Sequence, residues 1–164
     1  MRDPNFVARH RGGLLSDVDH RLLMKWALAM AEHLALYLAV PIDPVLIEAM
    51  QVGRQWSEGK VGTGAAMKAS RVVHKHAQGI TDPAYKLFCR SVGQAVATAH
   101  MADHSMGPVY YGKKLVKVLG LDERQELAWQ LANLHQLSPS LVPLVEQTLS
   151  DKGIVCSSHD EHDD

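Results

Sequence analysis

Cysteine, excess charge of one sign, long apolar runs and strict apolar alternation are all scarce or missing in this 164-residue sequence. The two cysteines, Cys89 and Cys156, lie far apart without a Cys-x-x-Cys spacing. That pattern excludes a disulfide framework and reads as free thiols of a reducing cytosol. Lys and Arg number 17 against 18 Asp and Glu. Residues 151–164 hold five acids and one Lys, so residues 1–150, with 16 basic and 13 acidic side chains, stand at +3 and the tail at −4. Neither value gives the clustered cationic face that nucleic-acid binding requires. The most apolar run, "WALAMAEHLALYLAV", is interrupted by Glu32 and His33 and stops at Pro41. It is too short and too charged at its centre for a membrane span, and the N-terminal "MRDPNFVARHRGG" has no apolar signal core. The expectation is a cytoplasmic protein with neither nucleic acid nor membrane as partner.

No segment alternates apolar and polar residues long enough to read as a strand, so the chain is expected to be all-α, a single-domain bundle of about seven helices. Ser16, with Asp19 three residues on, caps a first helix running to about residue 39. Asp43-Pro44 opens a second helix closed by Gly59, and Thr63 to Gln78 forms a third ended by Gly79. Asp82-Pro83 opens a fourth, expected to reach about Met106, where Gly107 takes a left-handed conformation and Pro108 forbids continuation. Helices at about 109–119, 123–136 and 139–151 follow, with stops at Gly120 and Gly153 and caps at Asp122 and Ser138. Residues 1–153 then form the helical domain, and 154–164 an acidic, histidine-containing tail with nothing to bury. His159, Asp160 and His162 in that tail are weak metal donors by composition alone.

The first helix is apolar nearly all round, which places it at the centre of the bundle with Trp26, Met30, Leu34 and Tyr37 packing. It contains Met30-Ala31-Glu32-His33, and the fourth contains Met101-Ala102-Asp103-His104. The repeated tetrapeptide raises an internal pseudo-repeat of two helix pairs. At 100° per residue, Cys89, Gly93, Ala97, His100, Asp103, His104 and Gly107 share one seam of a continuous fourth helix. Gly93 and Ala97 would admit the first helix, bringing Glu32 and His33 against His100, Asp103 and His104.

Two readings of that cluster follow. In one, His100 and His104, four residues apart, chelate a divalent metal that His33, Asp103 and Glu32 complete. In the other, each imidazole donates to a carboxylate in a buried network without an ion. The acid is an aspartate one position out of the His-Glu-x-x-His pattern, which favours the network. No nucleophile-base arrangement and no Gly-rich phosphate loop is present; "GTGAAMKAS" lacks the terminal Gly-Lys-Ser/Thr. His74 and His76 suit the C-terminal end of the third helix. Lys113, Lys114 and Lys117 read as a solvated face, and Tyr110 and Tyr111 as cleft residues or aromatic anchors for a partner, with at least one of them expected to pack in the core.

Three stretches, "RHRGGLLSDVDHRLLMKWALAMAEH" (9–33), "GQAVATAHMADHSMGP" (93–108) and "ELAWQLANLHQLSP" (126–139), together resemble the bacterial immunity-five-like group of putative immunity proteins from polymorphic toxin systems. The resemblance implies a small cytosolic protein that binds and neutralises a cognate toxin, without a cofactor and without catalysis. Under it, Glu32, His33, His100, Asp103, His104, Tyr110 and Tyr111 form a binding or structural polar cluster. The alternative is a metal-dependent hydrolase using the acid/His residues of the two helices. A homo-oligomeric scaffold is a third reading.

Overall fold

The computed structural model describes residues 2–154; the expected tail, with Cys156, His159, Asp160 and His162, lies outside the described residues apart from Ile154. Among the described residues seven α-helices make the fold: α1 (Asp17–Ala35), α2 (Pro44–Ser57), α3 (Thr63–Gln78), α4 (Pro83–Ala97), α5 (Gly107–Val118), α6 (Glu123–Ala132) and α7 (Leu141–Asp151). No strand occurs among the described residues. The chain is all-α, as its punctuation requires.

Short oxygen side chains open the helices where the sequence places them. Ser16 Oγ accepts the Asp19 N–H, Asp82 the Tyr85 N–H and Asp122 the Arg124 N–H, each pairing a donor that the first turn leaves free. Asp43 stands before Pro44 without a side-chain cap; its carboxylate accepts instead from His76 Nε2 at 2.7 Å, tying α2 to α3. Gly59, Gly120 and Gly153 take positive φ of 76°, 71° and 69° just past α2, α5 and α7, the conformation for which a side chain is costly.

α1 is the wall between two cores. Met24, Ala27, Leu28, Ala31 and Leu34 pack with side chains of α2–α5, including Leu46, Val73, Phe88 and Leu115. Leu23, Trp26 and Met30 face the other way, against Phe6 and Leu15 of the N-terminal segment, Met106, Leu134, and Leu141, Val145 and Leu149 of α7. Each large side chain removed from water contributes roughly 1.5–3 kcal/mol, which is why a helix apolar on all but the narrow stripe of Arg21, Lys25 and Glu32 belongs here. Tyr37, expected on the same helix, lies beyond its end and is half-buried.

The boundaries depart from expectation at several helix ends, and α6 stops at Ala132 rather than near residue 136, Asn133–Gln136 being a 3-10 turn. α1 ends at Ala35, and Leu36, Tyr37 and Leu38 continue only through tighter i→i−3 bonds to His33, Leu34 and Ala35. α4 ends at Ala97 rather than Met106: Met101 is extended (φ −133°, ψ 111°), and Ala102–Met106 is a separate 3-10 turn. Gly107 has φ −55° and starts α5, with Pro108 in its first turn. The Gly-Pro pair is therefore a start and not a stop. Pro is tolerated in the first turn, where its missing N–H would be unpaired anyway, and a Cβ on Gly107 would overlap the Gln94 side chain, so the glycine serves close approach rather than left-handed backbone. α7 begins at Leu141, two residues later than expected, with the Ser138 carbonyl accepting from Leu141 and Val142.

These changes separate the two tetrapeptides. Met30–His33 is helical, whereas Met101–His104 crosses from extended backbone into the 3-10 turn. The copies are not structurally equivalent.

Candidate functional site

Because α4 stops at Ala97, the seam of a continuous helix does not form, and the predicted residues distribute over four places. Glu32 is exposed on α1 and pairs with Arg54 of α2. His33 turns toward α6, where its Nδ1 donates to Glu126 Oε1 at 3.0 Å. His100 borders a cavity of about 430 Å³ that Arg11, His20, Arg21 and Trp56 also line. Asp103, His104, Tyr110 and Tyr111 border another, of about 670 Å³, with Arg2, Gln94 and Lys152. Among the described residues no three His, Cys, Asp or Glu side chains are grouped so that they could hold one metal ion.

The cluster around Glu126 is a buried polar network. The Glu126 carboxylate, 2 % exposed, accepts from His33 Nδ1, from Gln130 Nε2 at 2.9 Å and from the Tyr37 hydroxyl. Trp129 stacks on His33 with centroids 3.4 Å apart and planes 8° from parallel. Burial, and then the hydrogen bond to Glu126, push the Tyr37 phenol up to about 12. The arrangement holds α6 to α1 with both Glu126 oxygens engaged inside the protein. Glu126 and Gln130 sit four apart on one face of α6, the only sequence signal that could have paired them.

The second place is the join between α4 and the 3-10 turn. His20 Nε2 donates to the Thr98 carbonyl at 2.5 Å, giving a carbonyl freed by the end of α4 a buried partner. Burial holds the His20 imidazole below the usual histidine range. His100 is held down by burial and then by the charges of Arg11, Arg2 and Arg71; its Nδ1 is buried without a hydrogen-bond partner. His104 Nδ1 donates to Gln94 Oε1 at 2.7 Å, and burial lowers that imidazole too, against the opposing charge of Asp103. Arg2 Nη1 reaches both Asp103 oxygens, at 2.7 and 2.8 Å, closing the N-terminal segment over the turn.

Gly93 also has a different neighbour from the one expected. A Cβ there would lie 2.6 Å from the His74 ring, so it is α3, not α1, that approaches at this point. Ser70 Oγ donates to the Gly93 carbonyl at 2.9 Å, and Arg90 Nη1 donates to His74 Nδ1 at 2.9 Å. Burial, with Arg90 beside it, lowers His74.

Chemically, most of these acids and imidazoles are committed to partners inside the protein. No helix of the described residues is long and apolar enough to cross a membrane. What remains open is surface. Val118, Leu119 and Leu121 are exposed at the end of α5, and Leu36 (78 %) and Val40 (54 %) just beyond α1. Tyr110 is also exposed, its ring edge-on to Tyr111 at 5.1 Å with Lys114 Nζ 4.4 Å above it.

Compared with known proteins, residues 13–137 match a family model described as Imm-5 like putative immunity protein. No curated protein and no solved structure matches the chain.

Proposed function

The chain belongs to the Imm-5 like putative immunity protein family, and from that premise we propose that it binds a toxin protein stoichiometrically and neutralises it in the bacterial cytoplasm. The observation that carries this reading is the family match over residues 13–137, which spans α1 to α6. Two features support it. The acid and histidine side chains mostly serve internal contacts, as a scaffold requires. The exposed apolar side chains at the ends of α1 and α5 offer the kind of area that a protein partner covers. Neutralisation then needs no cofactor: a preformed surface occludes the toxin, with charge setting the encounter rate and buried anchors the lifetime. No observed geometry favours the metal-dependent hydrolase.

Affinity capture of the tagged protein from its native cells, with partners identified by mass spectrometry, tests the reading. One dominant 1:1 partner carrying a toxin domain, whose growth inhibition is relieved by co-expression of this chain, is the expected result. Absence of such a partner, or a toxin whose inhibition persists, overturns it.

A further inference from the structure

We infer that the groove between α5 and the end of α7 docks an acidic polypeptide segment of the toxin partner, an assignment that rests on the reading above and adds the surface and the partner's chemistry. Lys113, Lys114 and Lys117 of α5 line a cavity of about 310 Å³ together with Lys152, at the end of α7. Its neighbour, the cavity of about 670 Å³, shares Tyr110, Lys152 and Ile154 with it, so the two form one trough. Among the described residues none of these four lysines has a carboxylate partner; Lys113 Nζ reaches only the Ile154 carbonyl, at 3.3 Å, and Lys114 lies over Tyr110. Of the two acids in the trough, Asp103 is already taken by Arg2, which leaves Glu123 alone against four ammonium groups.

A body that is only +3 overall thus concentrates positive charge in one place. Four like charges within one groove repel one another and attract a complementary chain, an arrangement that steers association and rejects other partners. Beyond Lys117 the chain exposes Val118 and Leu121, which give an incoming segment an apolar end to bury after the charges have met, while Leu119 lines a separate cavity beside Tyr37 and Val40. The aromatic content argues for polypeptide over nucleic acid. The Tyr110 ring has Lys114 over one face and Tyr111 edge-on to it, which narrows the aromatic surface left for base stacking.

The test follows backbone amide NMR shifts of the full chain on titration with a short oligoglutamate peptide and, separately, with a single-stranded RNA of equal charge. The expected result is saturable, salt-sensitive peptide shifts confined to the trough and the segments that carry it, residues 2, 94, 103–123 and 151–154. In the Lys114→Glu/Lys117→Glu variant affinity should fall roughly tenfold or more, as reversed charges act on the encounter. A control reversing Lys68 and Lys75, exposed on α3, should bind like the parent. Shifts elsewhere, equal loss in both variants, or tighter RNA binding through the same amides overturns the assignment. So does a gain of about tenfold or more on neutralising Asp160, Glu161, Asp163 and Asp164, since the groove would then belong to the chain's own acidic segment. The two readings fail separately. A toxin captured equally well by the Lys114→Glu/Lys117→Glu variant removes the groove and leaves the immunity function. Peptide binding confined to the groove, with no toxin captured from cells, does the reverse.

Discussion

Glu126 concentrates a large liability in one residue. Three donors from two helices and a turn converge on one carboxylate that is 2 % exposed. Glu126→Ala would leave His33, Tyr37 and Gln130 without their acceptor, and removing one member of such a buried set costs about 3 kcal/mol or more. Glu126→Gln keeps an acceptor oxygen and should cost roughly half as much. Urea unfolding of the two variants checks this; equal, near-parental midpoints would mean that water serves the three donors as well as the carboxylate does. Nothing adjacent in sequence announces this role. Glu123 and Arg124 precede Glu126 on a short polar helix, and only the tertiary pairing with His33 shows that its face is turned inward.

At the scale of elements, the caps Ser16, Asp82 and Asp122 were legible. Ser138, by contrast, does not cap α7, which starts after Ser140 without a side-chain cap, and the helix end at Gly-Pro was not legible. Ser16, Asp82 and Asp122 act on N–H groups two or three residues away, so their chemistry is local and the sequence states it. Gly107-Pro108 is compatible with an end or a beginning, and the choice is made by Gln94 packing against Gly107 and by His20 taking the Thr98 carbonyl. That misplaced boundary turned one expected site into separate places, because His100 and His104 share a face only on an unbroken helix. Gly93 offers a test of packing between elements. Gly93→Ala should push the His74 ring off α4 and cost about 1–3 kcal/mol by overpacking. The His74→Ala background should accept the same methyl group with little further loss, as a double-mutant cycle by thermal unfolding would show.

Across the whole molecule, stability should depend on pH in one direction. His20, His74, His100 and His104 are all held below the ordinary histidine value, chiefly by burial. The unfolded chain, whose imidazoles titrate near 6.5, therefore binds more protons than the folded chain once the pH falls below about that value. The stability these groups contribute is present above about pH 6.5 and is lost as the pH falls through their lowered values. Melting temperature measured from pH 7.5 to pH 5 should decline, and His20→Gln, which retains a donor toward Thr98, should shallow the slope; a flat profile would contradict the burial of these rings.

The two cores also differ in when they can close. The core on the α2–α5 side of α1 draws on residues up to Val116, all consecutive in the chain. The other joins Phe6 and Leu15 to Leu141, Val145, Leu149 and Ile154, the two ends of the described chain. A ribosome delivers these ends far apart in time. Until α7 has emerged, Leu23, Trp26 and Met30 lack Leu141, Val145 and Leu149 from their cover, so the growing chain carries a sticky apolar flank all the while residues 36–140 are being made.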